Sequence, residues 1–337
     1  MARYSKLAPL SVSEKIGITK HVLAFFDPIN NRKYRELLGM PIEPPRAIPL
    51  SMADFFEFYK IGGIDYLPRL VRINELVNLL CVKGALSSLG DNRYRSSMIE
   101  LTEIEKKGHL YLGKYLGPEI IADQIGLNLA YITGITLEKG DPAVGSGILL
   151  KDNLVLTCAH VLTEMRVNSS LEINHKEYEI LRCEPHPNPK FDVGFIILKD
   201  VVTDNFHHDI ALRSSSLLEE IVIAGFPRIP LNLNEKRNPI VQRGEIASRI
   251  STYNPSGELE LFTAVARPGN SGGPLLSLEG KVLGIVTKSL EQQAKEVSDL
   301  GMAHLPFFAS IPSDIIMKSF NELPIAKEFS LPWENFE

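Results

Sequence analysis

GNSGGPLLSLEGKVLGIVTK, residues 269–288, can be read in two ways, and the choice decides the fold. A serine set among glycines marks either a sharp turn from a strand into a helix, or a loop whose backbone must come close to something bound. The residues after Ser271 favour the second reading. Gly272-Gly273-Pro274 leads into two apolar runs joined by Glu279-Gly280, which is a hairpin pattern with no room for a helix. The serine belongs on a loop between strands.

Working outward from this hairpin, the same rhythm recurs from about residue 126. YITGITLE (131–138), GSGILLKDNLVLTCAHVL (145–162), DVGFIILK (192–199), EIVIAGFP (220–227), IVQRGEIASRI (240–250) and ELELFTAV (258–265) are short β runs broken by turns. No crossover helices separate them, which excludes a parallel α/β architecture and points to a sandwich or barrel.

The first third has a different rhythm. MADFFEFYKIGG (52–63) groups four aromatic residues and stops at Gly62-Gly63. Over 68–90, Leu70, Ile73, Leu76, Val77 and Leu80 fall at spacings of three and four, a helix face. A short ribbon around Arg93 and Arg95 and a further helix beginning near Thr102 are expected next. PIEPPRAIPL (41–50) reads as a proline-rich linker behind a short N-terminal piece, residues 1–40. The fold class is therefore mainly β, preceded by a small helical domain. The expected division is an accessory or regulatory domain over 1–125, a β domain over 126–322 and a tail over 323–337.

Composition narrows the function classes. The chain has 337 residues, 44% of them hydrophobic and 23% charged, with a formal net charge of −5. Residues 1–125 hold 17 Lys+Arg against 14 Asp+Glu, and the remainder 19 against 27, so neither part has the basic excess of a dedicated nucleic-acid binder. Three widely spaced cysteines, Cys81, Cys158 and Cys183, fit free thiols in a reducing, cytoplasmic setting. The first fifteen residues show no secretory pattern, and no apolar run has the length of a membrane span.

The candidate chemistry is acyl transfer. A serine hydroxyl needs a base within reach, the base needs an orienting acid, and the tetrahedral intermediate needs paired N–H donors. The base candidate is His160, one of eight histidines, placed where the apolar strand pattern of NLVLTCAH ends. The acid candidate is Asp192, at the head of the buried run Val193, Phe195, Ile196 and Ile197. Asp209, in HHDIALRSS, begins a weaker run. Ser271 is the nucleophile candidate, and the amides of Gly269 and Ser271 are the candidate oxyanion hole, with Gly272-Gly273 leaving space for substrate.

GNSGG also fits the G-x-S-x-G elbow of α/β-hydrolases, but that reading requires a helix after the serine and an acid and then a histidine downstream. Only His304 lies downstream. The order His160, Asp192, Ser271 instead resembles the chymotrypsin-like serine proteases: TCAH is similar to their TAAH, DVGFIILK to their acid-bearing strand, and GNSGGP to their GDSGGP. Within them the HtrA type is the closest resemblance. GSGILLKDNLVLTCAHVL is similar to its GSG and LTNxHV stretches, EIVIAGFP and QRGEIASRI to two of its strands, and FFASIPSDIIMKSF to the stretch that closes its catalytic domain. The resemblance covers about residues 126–322 and implies a double β-barrel, a serine endopeptidase and no cofactor.

Several further expectations come with it. Thr287 corresponds to the residue that helps hold the catalytic aspartate. Thr287, Lys288 and Ser289 are expected to pair edge-on with an extended protein or peptide substrate. Val265 falls at the base of the specificity pocket, which implies a small or medium apolar P1 side chain rather than Lys or Arg. Asn270, in place of an aspartate, implies that no freed N-terminus activates the site. HtrA proteins usually carry a PDZ domain after the protease, and about fifteen residues beyond 322 are too few for one. Regulation is assigned to residues 1–125, through a partner or ligand, in a stress or defence pathway.

The helix, helix, ribbon succession also resembles a winged-helix domain, so two rival readings accompany the endopeptidase. One is a non-catalytic scaffold of the same fold, the other a DNA-binding regulator with an attached protease domain. A zinc site from Cys158, His160, Cys183, His186, His207 and His208 lacks the usual ligand spacings, and no metal is expected. Cys158 reads as a buried small hydrophobe. Trp333, in PWENFE, reads equally as part of a docking tail or of a pinned end.

Overall fold

The structure is a computed structural model. It describes residues 7–42, 49–97, 101–203, 209–228, 238–251, 257–287 and 307–334. The chain divides into two compact units, Met1–Thr102 with Leu112–Ile120, and Glu103–Tyr111 with Ile121–Glu337.

In the first unit the helices start where local chemistry supplies caps. Helix α1 (Val12–Phe25) and helix α3 (Met52–Ile61) each open with a capping box, Ser11 with Glu14 and Ser51 with Asp54, while α2 (Asn31–Leu37) lies between them. Helix α4 (Leu70–Val82) buries Ile73, Leu76, Val77 and Leu80, the face read from the sequence, but leaves Leu70 exposed. It stops eight residues short of the expected end. The chain turns at Gly84 (φ +77°) and forms the ribbon β1 (Leu86–Ser88) and β2 (Tyr94–Ser96) instead. Aromatic rings fill the core: Phe25 and Phe26 pack on Phe55 at centroid distances of 5.5 and 6.2 Å, and His21 stacks on Tyr59 at 4.5 Å. Of the two ribbon arginines, Arg93 donates to the Pro49 carbonyl and Arg95 is exposed. Part of the proline-rich stretch, 43–48, lies outside the described residues.

The helix expected from Thr102 is absent. Residues 105–107 make a single 3₁₀ turn that ends at Gly108, and their side chains are anchored at long range. Lys281 Nζ lies 3.3 Å from Glu105, and Lys107 bonds Asp209 at 2.7 Å. These polar anchors, with Leu110 packed on Gly280, replace the apolar stripe that a helix here would need.

The second unit holds two closed antiparallel β-barrels. The first runs β4 (Pro142–Lys151), β5 (Leu154–Thr157), β9 (Gly194–Leu198), β8 (Lys176–Pro185), β7 (Ser170–Ile173) and β3 (Leu129–Thr136), closed by β3–β4 pairing, with β6 (Met165–Val167) added to the end of β3. The second runs β10 (Glu220–Gly225), β11 (Ile240–Ser251), β12 (Glu258–Phe262), β15 (Phe308–Pro312), β14 (Val282–Val286) and β13 (Pro274–Ser277), closed by β10–β13 pairing. Closure removes exposed sheet edges. The mainly β class and the double barrel expected from the sequence are both found.

Strands β5, β9, β13 and β14 are buried at every residue, which explains why the sequence shows continuous apolar runs there. On β10, Ile221 and Ile223 fill the second barrel, while Val222 and Ala224 join a core shared with the first. A helix over Ser313–Glu322 covers that shared core, with Phe320 against Phe195 at 5.4 Å. The tail is pinned rather than free. Leu212 donates to the Pro332 carbonyl, Glu334 N–H donates back to Leu212, and Lys281 pairs with Glu334.

Candidate active site

Strand β5 delivers its last residue, Thr157, into an extended Cys158, and a short helix over Ala159–Thr163 begins directly after it. This geometry leaves the His160 backbone N–H without a helical partner, and Asp192 takes it. Asp192 Oδ1 accepts His160 N–H at 2.8 Å, and Oδ2 accepts from His160 Nδ1 at 2.7 Å. Thr287 Oγ1 donates to Oδ2 at 2.7 Å.

Burial is the largest single influence on Asp192 and opposes its charge. The imidazole, the His160 amide and the Thr287 hydroxyl together outweigh it, so the carboxyl is held below its ordinary value. An ionised Asp192 fixes the neutral imidazole as the Nδ1–H tautomer, with the Nε2 lone pair turned away from the acid.

Ser271 sits on a tight turn between Arg267 and Gly273. Three of its amides are used internally: Asn270 N–H to Arg267 O at 2.9 Å, Gly272 N–H to Val286 O at 2.8 Å and Gly273 N–H to Asn270 O at 2.8 Å. Among the described residues, the Gly269 and Ser271 amides donate to none, nor does Ser271 Oγ make a hydrogen bond. At two positions both a positive φ and close neighbours call for glycine. At Gly269 φ is +102° and a Cβ would lie 2.5 Å from Phe226 O, and at Gly272 φ is +81° and a Cβ would lie 2.2 Å from Thr157 Oγ1. The same Cβ would lie 3.0 Å from Cys158 N, so the serine turn rests on the residues that lead into His160.

The remaining sequence candidates fall as follows. Val265 is 39% exposed, with its N–H held by Gln242 Oε1 at 3.1 Å. Thr287 is buried, and its N–H donates to Ala309 O at 3.1 Å. Lys288, Ser289, His207, His208 and His304 lie outside the described residues. Asp209 is paired with Lys107. All three cysteines are free. Cys158 Sγ lies within 4.8 Å of ligand atoms of His160 and Asp192, but a cation there would have to displace the proton those two share.

Sequence reading missed Ser146. It is fully buried on β4, its N–H donates to Ser271 O at 2.9 Å, and its hydroxyl donates to Gly269 O at 2.7 Å. The available signal was the serine inside GSG, a small polar residue between two glycines on an otherwise apolar strand.

Residues 145–285 match the family described as a trypsin-like peptidase domain, a span that contains His160, Asp192 and Ser271. No curated protein matches the chain in sequence. Similar solved structures include the Rv3671c protease of M. tuberculosis in its active form, 16% identical over 63% of this chain and 85% of that one, with a TM-score of 0.48. The inactive form of the Rv3671c protease is 17% identical over 60% and 92%, with a TM-score of 0.45. The HtrA-type protease AlgW with a tripeptide is 17% identical over 60% and 62%, with a TM-score of 0.45. Over residues 145–285, this chain carries a trypsin-like peptidase domain.

Proposed function

We propose that residues 126–322 act as a serine endopeptidase of the HtrA type. Ser271 Oγ attacks the peptide carbonyl and forms a tetrahedral intermediate, with its proton passing to His160 Nε2. The Gly269 and Ser271 amides stabilise the oxyanion. His160 then gives the proton to the leaving amine, and water repeats the sequence on the acyl-enzyme. Asp192 keeps the imidazole in the required tautomer and stabilises its protonated form.

One observation carries the reading: Asp192 is bonded at once to Nδ1 and to the backbone N–H of His160, with Thr287 as a third donor. A structural histidine has no need of a carboxylate fixed on both oxygens. The missing bond from Ser271 Oγ to the imidazole fits a resting site, because such contacts tighten when substrate binds.

The proposed substrates are proteins or peptides, aligned in extended form along 287–289, with a small or medium apolar side chain directed toward Val265. The mechanism calls for no cofactor. The free thiols of Cys81, Cys158 and Cys183 support a reducing, cytoplasmic setting. Among the described residues no helix is long and apolar enough to cross a membrane. Residues 1–125 are proposed to restrain the protease until a partner or ligand acts. Removing residues 1–102, which leaves the whole second unit in place, should raise activity, and unchanged activity would count against that role.

The test of the main reading is labelling by a fluorophosphonate probe. Wild-type protein should be labelled, and Ser271→Ala and His160→Ala should not. Absence of labelling in the wild type, with or without residues 1–102, would favour the non-catalytic scaffold.

A further inference from the structure

We infer that Ser146 is a positioning residue for the oxyanion turn, holding Gly269 and Ser271 so that their amides face one acceptor. The inference rests on the endopeptidase reading above. Ser146 belongs to the first barrel, yet most of its polar bonds reach segments of the second. Its hydroxyl has one proton and two lone pairs. It donates to Gly269 O at 2.7 Å and accepts Phe226 N–H at 2.9 Å. Its N–H donates to Ser271 O at 2.9 Å, and its carbonyl accepts the Thr157 hydroxyl at 2.7 Å.

The pattern of bonds gives Ser146 its role. A residue's orientation is set by the two peptide planes that flank it. For Gly269 the preceding plane is fixed by Pro268 O, which accepts Arg228 N–H at 3.1 Å, and the following plane by Gly269 O on Ser146 Oγ. For Ser271 the preceding plane is fixed by Asn270 O, which accepts Gly273 N–H at 2.8 Å. Its following plane is fixed by Ser271 O on Ser146 N–H and by Gly272 N–H on Val286 O.

Ser146 therefore anchors the far side of both residues whose amides have no acceptor among the described residues. Gly269, at φ +102°, has the widest choice of alternative conformations and depends most on that anchor. The link to Thr157, three residues before His160, ties the same serine to the strand that presents the imidazole.

A merely structural serine would affect folding alone, whereas a positioning serine affects the transition state more than substrate binding. The experiment compares wild type, Ser146→Ala and Ser146→Cys on a peptide substrate and on a peptide boronic acid, which forms a tetrahedral adduct with the nucleophile. For Ser146→Ala, kcat should fall about thirtyfold, with KM within about twofold, since removing one oxyanion donor outright costs about 100- to 1,000-fold. Affinity for the boronic acid should fall by the same factor. Ser146→Cys, which keeps a weak donor, should fall between the two.

An unchanged kcat, or losses no larger than the loss of folded protein measured by circular dichroism, would overturn the inference. If wild type itself turns over no peptide, the endopeptidase reading is what fails. The crystal structure of Ser146→Ala then decides the question: a rotated Gly269–Asn270 peptide supports the anchor, and an unmoved turn overturns it.

Discussion

Two carboxylates, a half-buried one in the first barrel and a fully buried one in the second, are driven in opposite directions. Asp192, ahead of β9 in the first barrel, is held below its ordinary value, although burial is the strongest single influence on it. Glu260, on β12 of the second barrel, is 2% exposed and is pushed up to about 7, with burial again first among the causes. Donors make the difference. Asp192 has three, spread over both oxygens, and one is an imidazole that can become a cation. Glu260 has the Ser215 hydroxyl on Oε1, while Oε2 is buried without a partner among the described residues, and the nearby Arg249 charge is offset by Asp314 and Glu219. Burial alone keeps a carboxyl protonated; burial with aimed donors makes an ionised one available for chemistry.

The largest effect expected is from removing the charge of Asp192. Asp192→Asn keeps the shape but offers an amide to Nδ1, which favours the wrong tautomer. Peptide turnover should fall about 10⁴-fold, with kcat carrying the loss. A loss below about tenfold would show that the couple is structural. Asp192 also contributes stability that is present above its unfolded value and lost as pH falls through its folded value. Asp192→Asn should therefore flatten the acid side of the unfolding curve.

The converse is expected at Glu260. Its folded value, about 7, lies above the ordinary 4.5. Between these limits the native protein keeps a proton that the unfolded chain has released, so stability falls as pH rises through that window. Glu260→Gln should abolish this fall. Relative to wild type it should gain on the order of 3 kcal/mol between pH 4.5 and pH 8, read by urea unfolding, with peptide turnover unchanged. Parallel curves for the two proteins would refute the raised value.

These two carboxylates also mark the limits of reading the sequence. The pairing of Asp192 with His160 was legible because both residue types stand beside recognisable strands, in DVGFIILK and TCAH, while the role proposed for Ser271 rests on GNSGG. The barrels were legible because closed antiparallel strands leave apolar runs punctuated by turns. Glu260 was not, since ELELF reads as an alternating strand with glutamate toward solvent, and only closure of the barrel turns that face inward. Ser146 was missed for a related reason: its partners Gly269 and Ser271 are more than a hundred residues away in the chain. The expected helix at Thr102 failed because Glu105 and Lys107 find partners on Lys281 and Asp209. Helices α1 and α2 lie inside residues 1–40, which read as a short N-terminal piece because no strong apolar stripe marks them, although Ser11 and Glu14 spell a capping box.

Thr287→Val sharpens the comparison by taking one donor from Asp192 and moving it toward the condition of Glu260. The carboxyl should titrate higher, and the acid limb of kcat/KM should shift to higher pH with it. Turnover at the optimum should fall about tenfold, the worth of one hydrogen bond to a charged group. A lower kcat with an unmoved limb would assign Thr287 to substrate alignment alone.

The smallest effect is expected at Ser215, the counterpart of Thr287 in the second barrel. Its hydroxyl lies 2.5 Å from Glu260 Oε1 and favours the ionised form. Ser215→Ala should push the carboxyl higher still and widen the window over which rising pH destabilises the fold. Below pH 4.5 Glu260 is protonated in both states, so the variant loses only a neutral hydrogen bond. Above pH 8 it loses one to a carboxylate. The difference should be about 1 kcal/mol in urea unfolding, larger at the alkaline end. If the loss is equal at both ends, Ser215 packs against Glu260 without tuning it, and the contrast with Asp192 rests on the imidazole alone.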